Sequence, residues 1–96
     1  MTANNGNCGA LHAWVSGRVQ GVGFRYSALR EAERCGLTGW VRNTMNGEVE
    51  VWVEGHPDKL AEFSAWLHKG PRSSRVDSVT KDNVEPQGYT DIRVKY

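Results

Sequence analysis

The stretch GRVQGVGFRYS, Gly17 to Ser27, marks the point where one secondary-structure period gives way to another. Before it, apolar and polar residues alternate with a period of two, which is typical of a half-buried strand. From Phe24 onward the apolar residues recur at helical spacing, and Gly36 stands where a left-handed residue would end a helix. The stretch therefore predicts a strand, a glycine-rich turn and a helix in direct succession.

The segments that follow predict two hairpin strands, a second helix and two more strands. TGWVRNT and EVEVWVE flank Asn46-Gly47, a strong hairpin signal, and Pro57 and Gly70 bracket a helical pattern. Valines alternate with glutamates and Trp52 in the second hairpin strand, so we expect one buried and one wet sheet face. The fold class predicted is α+β: a ferredoxin-like βαββαβ sandwich with a mainly antiparallel sheet, two helices on one face and a short additional C-terminal strand.

The length of 96 residues allows one domain. We assign residues 10–96 to it and residues 1–9 to a flexible N-terminal tail. The formal net charge of +1 argues against a general nucleic-acid binder. Because the sequence has neither a membrane-length apolar run nor a secretory signal, we expect a cytoplasmic protein without a membrane partner. We expect a monomer, since no large apolar stripe remains once the helices cover the sheet.

Cysteine and histidine spacing does not favour a metal site. Cys8 and Cys35 form no CxxC pair, and the three histidines are scattered. We expect two reduced thiols, with Cys35 in the core, in preference to a disulfide. No metal and no cofactor are predicted.

Arg25 breaks a local rule, because it places a positive charge near a helix N-terminus that is already partly positive. Gly21 and Gly23 permit positive φ angles, so successive N–H groups can form an anion-binding nest ahead of the helix. A phosphate held by these amides and the guanidinium would explain the arginine. The alternative is a tight turn followed by a solvated arginine, and spacing alone does not separate the two.

Asn43 is the second candidate, at the end of a strand where its side chain can project over a neighbouring loop. Asparagine is also a common turn residue, and spacing alone favours that interpretation. Gln20 and Ser27 are weaker candidates for ligand contact, and Arg18 is interpreted as a solvated charge.

Three segments together resemble the acylphosphatase family: GRVQGVGFR, then GWVRNT with GEVEV, then AWLHKGPRSSRV. The resemblance extends from about Ala10 to the final DIRVKY. It implies a small ferredoxin-like enzyme that hydrolyses the carboxyl–phosphate anhydride bond of an acyl phosphate, without a metal. The partners implied are the small-molecule acyl phosphate substrate and its products, a carboxylate and inorganic phosphate.

The resemblance also implies the roles of the site residues. Arg25 corresponds to the family's essential arginine, and Asn43 corresponds to the asparagine that positions water. The phosphate-binding loop implied comprises Gln20, Gly21, Val22, Gly23, Phe24 and Arg25.

Two other functions fit parts of the pattern. An RNA-binding module shares the βαββαβ order, and Trp14 and Trp52 could stack bases. Glutamates on the same face of the sheet as Trp52 would repel the phosphates of RNA. A phosphometabolite sensor could use the same loop and would bind phosphate without turnover.

Overall fold

The computed structural model describes residues 8–96, which form a five-stranded sheet and two helices. The elements are β1 (Gly9–Arg18), α1 (Phe24–Arg34), β2 (Thr38–Asn43), β3 (Val49–Gly55), α2 (Pro57–Leu67), β4 (Arg75–Val84) and β5 (Ile92–Lys95). The strand order is β4-β1-β3-β2-β5, and every neighbouring pair is antiparallel except β2 and β5, which are parallel. The predicted fold class, including the short C-terminal strand, is confirmed.

The predicted tail, residues 1–9, lies outside the described residues except for its last two. Cys8 precedes the sheet, and Gly9 is already the first residue of β1. Within residues 8–96, neither helix is long and apolar enough to cross a membrane.

Both helices begin and end at the residues that the sequence indicates. Gly36 adopts φ 69° after α1, and the backbone N–H groups of Gly36 and Leu37 donate to the carbonyls of Glu33 and Ala32. This pair of bonds is a Schellman motif, in which a left-handed glycine satisfies the last helical carbonyls. In α2, Pro57 occupies the first turn and the Nδ1 atom of His56 accepts the N–H of Asp58 at 3.2 Å.

One core joins the helices to a single face of the sheet. The side chains that contribute to it from the helices and strands are fully or almost fully buried. They include Phe24, Ala28, Ala32, Phe63 and Leu67 from the helices and Ala13, Val15, Val41, Val49, Val51 and Val53 from the strands. Cys35 lies in this core as predicted, and both Cys8 and Cys35 are free thiols.

The strand directions bring the C-terminal ends of three strands to the same end of the sheet. Strand β1 is antiparallel to β3, β3 is antiparallel to β2, and β2 is parallel to β5. Strands β1, β2 and β5 therefore run in the same direction and finish, at Arg18, Asn43 and Lys95, at this end of the sheet. The glycine-rich turn, which follows Arg18, leaves the sheet here.

The prediction of a wet outer face was wrong for β3, because Glu50 and Glu54 are only 7% and 4% exposed. Glu50 accepts bonds from Arg42 at 2.6 Å and pairs with His12 at 2.7 Å. Glu54 accepts the indole N–H of Trp52 at 2.8 Å. It also accepts the backbone N–H groups of Gln87, Gly88 and Tyr89. Sequence alternation could not indicate these partners, since most of them come from other strands and a distant loop.

The hydrogen bonds to Glu54 stabilise the folded protein in a way that is lost at acid pH. Burial by itself raises the pKa of Glu54, but the bonds from the backbone amides and the indole outweigh it and hold the pKa below its ordinary value of 4.5. The folded state therefore binds fewer protons than the unfolded state. This stabilisation is complete above the unfolded-state pKa and is lost as the pH falls through the lowered value.

We expect Glu54→Gln to lower the free energy of unfolding by about 2 kcal/mol at pH 7, since the replacement removes a charged acceptor from several donors. The difference from wild type should narrow as the pH falls through the lowered pKa of Glu54, where the wild-type carboxylate becomes protonated. Urea unfolding at pH 7 and over a series of acid pH values measures this. Glu33→Gln, at an exposed position on α1, is the control, and an equal loss at pH 7 in both variants would contradict the role given to Glu54.

Candidate active site

The glycine-rich turn, residues 19–23, is held in the core at both ends. Val19 and Phe24 are each 1% exposed, and the Phe24 ring lies 5.4 Å from the ring of Trp66. The side chain of Phe24 therefore packs against α2, so any part that it plays in anion binding goes through its backbone N–H. Anchoring both ends fixes where the turn sits while the glycines shape it.

Gly21 and Gly23 adopt the left-handed conformation that glycine permits, with φ 75° and φ 81°. A Cβ atom built on either glycine would meet nothing within 4 Å. The requirement for glycine is therefore conformational and not one of space, since other residues rarely adopt these φ values. Backbone in this conformation can turn successive N–H groups to one side, as an anion-binding nest requires.

The N-terminus of α1 carries no negative charge of its own. Gly23 is the N-cap and supplies no side-chain hydrogen bond, and the first turn contains no acidic residue. The first helical N–H groups have no intrahelical partners and carry the positive end of the helix dipole. Arg25, two residues into this helical end, is half-buried and forms no ion pair among residues 8–96. An anion would be stabilised by every one of these groups.

Asn43 is the last residue of β2, and strand alternation places it on the same side of the sheet as Val41. Val41 is fully buried in the core beneath the helices, whereas Arg42 lies on the opposite face and bonds Glu50. The Oδ1 atom of Asn43 is buried and has no hydrogen-bond partner among the described residues. A buried acceptor without a partner is uncommon in proteins, and at a strand end beside a loop it is suited to receive a hydrogen from a ligand or from water.

Gln20 connects the turn to the hairpin that follows Asn43. Its Nε2 atom donates to the backbone carbonyls of Thr44 and Glu48, at 2.8 Å each. Both hydrogens of the side-chain amide are thus bonded within the protein. The family resemblance implies that Gln20 belongs to the phosphate loop, and the structure adds that its side chain braces the loop against Thr44, the residue next to Asn43.

Replacing Gln20 should disturb both stability and catalysis, in a graded way. We expect Gln20→Ala to lower the free energy of unfolding by about 1–2 kcal/mol, and Gln20→Glu to lower it further because a carboxylate would face two carbonyl oxygens. The catalytic constant should fall in the same order, as Asn43 and the loop lose their fixed spacing. Chemical denaturation measures the loss of stability, and steady-state kinetics measures the loss in the catalytic constant. Equal losses in Gln20→Ala and Gln20→Glu would rule out the bracing role of Gln20.

Two contacts to this loop were missed from the sequence. The Ser73 hydroxyl, between α2 and β4, donates to the Val22 carbonyl at 2.7 Å. The ring of Tyr96, at the end of the chain, lies 5.2 Å from the guanidinium carbon of Arg25. Strand alternation puts Tyr96 on the same face as Ile92, but no local pattern indicates which element a terminal side chain reaches.

A groove of about 610 Å³ lies away from the glycine-rich turn, beside the start of β1 and between α2 and β4. Its lining does not form an anion site, because its one cationic side chain, Lys81, already donates to the Ser64 hydroxyl at 2.9 Å. The glycine-rich turn leaves the other end of β1, so the candidate site is a loop and not this groove.

Comparison with known proteins agrees with the resemblance drawn from the sequence. The acylphosphatase family model matches residues 11–93. An acylphosphatase of Pseudomonas paraeruginosa is 49% identical over 85 residues, which cover 88% of this chain and 93% of the relative. Among solved structures, an acylphosphatase from Coxiella burnetii has a TM-score of 0.94 and 39% identity, covering 99% of this chain and 100% of the other.

A solved acylphosphatase from Bacillus subtilis has a TM-score of 0.89 and 34% identity, covering 92% of this chain and 99% of the other. The fold, the family model and relatives aligned over most of their own length all agree. The chain therefore belongs to the acylphosphatase family and is an enzyme that hydrolyses acyl phosphates.

Proposed function

We propose that the loop from Gln20 to Arg25 binds the phosphoryl group of the acyl phosphate. The observation that carries the proposal is the uncapped, acid-free N-terminus of α1 with a half-buried arginine in its first turn. The left-handed conformations of Gly21 and Gly23 add backbone N–H groups to the same site. Gln20, Val22 and Phe24 contribute through their backbone, since their side chains are engaged elsewhere or packed.

Arg25 has the role of stabilising charge on the phosphoryl oxygens as the transition state forms. Its planar guanidinium can hold two of these oxygens at once. The exposed ring of Tyr96 lies 5.2 Å from the guanidinium carbon, within the range of a cation–π contact. A cation held near the reacting phosphorus, in a site with few other charges to neutralise it, is the largest contribution that this chain offers.

Asn43 has the role of orienting the attacking water. Its unpartnered Oδ1 can accept one hydrogen of the water, which turns a lone pair of the water oxygen toward phosphorus. The water oxygen forms a bond to phosphorus, and the bond from phosphorus to the acyl oxygen breaks. The carboxylate departs with the bonding electron pair, one proton of the water moves to a phosphoryl oxygen, and the other stays on the attacking oxygen. The products are a carboxylate and inorganic phosphate.

This reaction needs no strong general base. A carboxylate is a weak base and therefore a good leaving group, and a loose, metaphosphate-like transition state requires little from the nucleophile. Positioning and charge stabilisation can then account for most of the acceleration. We include independence from metal ions in the proposal, as the family resemblance implies.

Hydrolysis of benzoyl phosphate in the presence of excess chelator tests the proposal. We expect turnover that the chelator does not reduce, and competitive inhibition by inorganic phosphate, the product that should occupy the loop. Phosphate binding without turnover would instead identify a sensor. Salt-dependent binding of single-stranded RNA would revive the interpretation of Trp14 and Trp52 as a stacking surface. The cytoplasmic location and the monomeric state stay predictions; sedimentation would test the second.

A further inference from the structure

We propose that Ser73 is a positioning residue for phosphate binding, which it serves by fixing the peptide group between Val22 and Gly23. The inference rests on the proposed function of the loop, since it assigns the loop the task of holding a phosphate. Ser73 lies in the connection between α2 and β4, 51 residues from Val22 along the chain. Nothing in its local sequence distinguishes it from a solvent-exposed turn residue.

The hydrogen bond from Ser73 is the contact that fixes the middle of the loop. The Ser73 hydroxyl donates to the Val22 carbonyl at 2.7 Å. Among residues 8–96, no other side chain donates to a carbonyl of residues 21–23, and the Gly23 carbonyl is bonded within α1 by the N–H of Ser27 at 3.0 Å. The Gln20 side chain braces the start of the loop, so the two polar side chains act at different points.

Because the peptide group is planar, a bond that fixes the Val22 carbonyl also fixes the direction of the Gly23 N–H. Residues 8–96 contain no cis peptide, so the Val22 carbonyl and the Gly23 N–H point in opposite directions from the same plane. With the carbonyl held toward Ser73, the Gly23 N–H points away from Ser73, and we infer that it faces the bound phosphate. The N–H lies at the N-cap, where anions bind best.

The loop needs such a restraint because its glycines have no side chains to hold them. A Cβ at Gly21 or at Gly23 would contact nothing within 4 Å, so no packing contact would hold either residue on the side where a side chain would stand. Glycine also populates more backbone conformations than any other residue. The Val22 side chain, which packs against the core, and the Val22 carbonyl, which bonds Ser73, limit rotation of the peptide group between Val22 and Gly23.

Loss of the bond should weaken binding more than it slows the chemical step. Without Ser73 the loop would spend less time with the Gly23 N–H in its binding direction. The apparent affinity for phosphate falls in proportion to the fraction of molecules in that conformation. A bound phosphoryl group then restores the orientation itself by accepting the N–H. KM and the inhibition constant of phosphate should therefore rise by the same factor, while kcat stays nearly unchanged.

The test compares Ser73→Ala with Ser74→Ala, its neighbour, whose hydroxyl donates to the Pro71 carbonyl within the same turn at 2.7 Å. The two substitutions remove the same atom and one hydrogen bond each, but the bond lost in Ser73→Ala is to the phosphate loop and the bond lost in Ser74→Ala is to Pro71. The measurements are kcat and KM for benzoyl phosphate, the dissociation constant of inorganic phosphate by calorimetry, and the melting temperature. Ser73→Thr, which keeps the hydroxyl, tests for rescue.

We expect Ser73→Ala to raise KM and the phosphate dissociation constant together, by about three- to tenfold, with kcat within twofold of wild type. Ser74→Ala should leave both constants within twofold, and Ser73→Thr should recover most of the loss. Unchanged constants in Ser73→Ala, or an equal rise in Ser74→Ala, would overturn the role given to Ser73. A lower melting temperature with normal phosphate binding would show a structural role only.

The design separates this inference from the proposed function. If wild type binds phosphate but does not hydrolyse benzoyl phosphate, the catalytic proposal fails, and the calorimetric comparison of the serine variants still decides the role of Ser73. If wild type neither binds phosphate nor turns over, the loop is not a phosphate site and both proposals fail.

Discussion

Arg25→Ala is expected to lower kcat/KM for benzoyl phosphate by about 10³-fold or more, because it removes the one cationic side chain in the first turn of α1. An arginine that stabilises phosphoryl-transfer charge is worth about 10³–10⁵ in rate where it has been removed from other enzymes. Arg25→Lys should recover part of the loss, since it keeps the charge but not the bidentate geometry.

Arg25→Ala should be as stable as wild type. Arg25 forms no ion pair among residues 8–96, and its charge lies at the unfavourable end of the helix dipole. Its contact with the Tyr96 ring offsets part of that cost. We therefore expect a melting temperature within about 3 °C of wild type. Arg30→Ala, on the same helix and exposed, is the kinetic control, and activity near wild type in Arg25→Ala would contradict the assignment.

Asn43→Ala should produce the second large effect, a loss of about 10²–10³-fold in kcat with little change in KM. The asparagine is proposed to hold water and not phosphate, so ground-state binding should survive its removal. Asn43→Asp is a sharper variant, because it keeps an oxygen acceptor at the same place but adds a negative charge. That charge should raise KM by repelling the phosphoryl group.

Steady-state kinetics separates these outcomes, with Asn83→Ala on the exposed edge strand β4 as the control. A rise in KM with unchanged kcat in Asn43→Ala would mean that the residue binds substrate and does not orient water. Loss of stability should not account for the kinetic change in Asn43→Ala. Removal of an unpartnered buried oxygen should lower the free energy of unfolding by no more than about 1 kcal/mol.

Local patterns in the sequence were sufficient for the elements that depend on local rules. The period of apolar residues located both helices, and Gly36 and Pro57 marked their ends because backbone conformation at those positions is set by the residue itself. The positive φ angles of Gly21 and Gly23 followed from the same reasoning. Arg25 was recognised because its charge conflicts with the dipole of its own helix.

Contacts between distant segments could not be predicted in this way. Gln20 bonds carbonyls 24 and 28 residues away, and Ser73 bonds one 51 residues away. Burial of Glu50 was hidden for the same reason, because its contacts with Arg42 and His12 depend on the pairing of β3 with two other strands. Alternation gives the face of a residue but not the atoms that cover that face.

Hydrolysis of benzoyl phosphate in water enriched in oxygen-18 tests the central claim most directly, since it reports which bond breaks. With phosphorus in the loop and water beside Asn43, a single turnover should put the heavy oxygen into inorganic phosphate and leave benzoate unlabelled. Label in benzoate would show attack at the acyl carbon. That result would contradict the proposed positions of substrate and water.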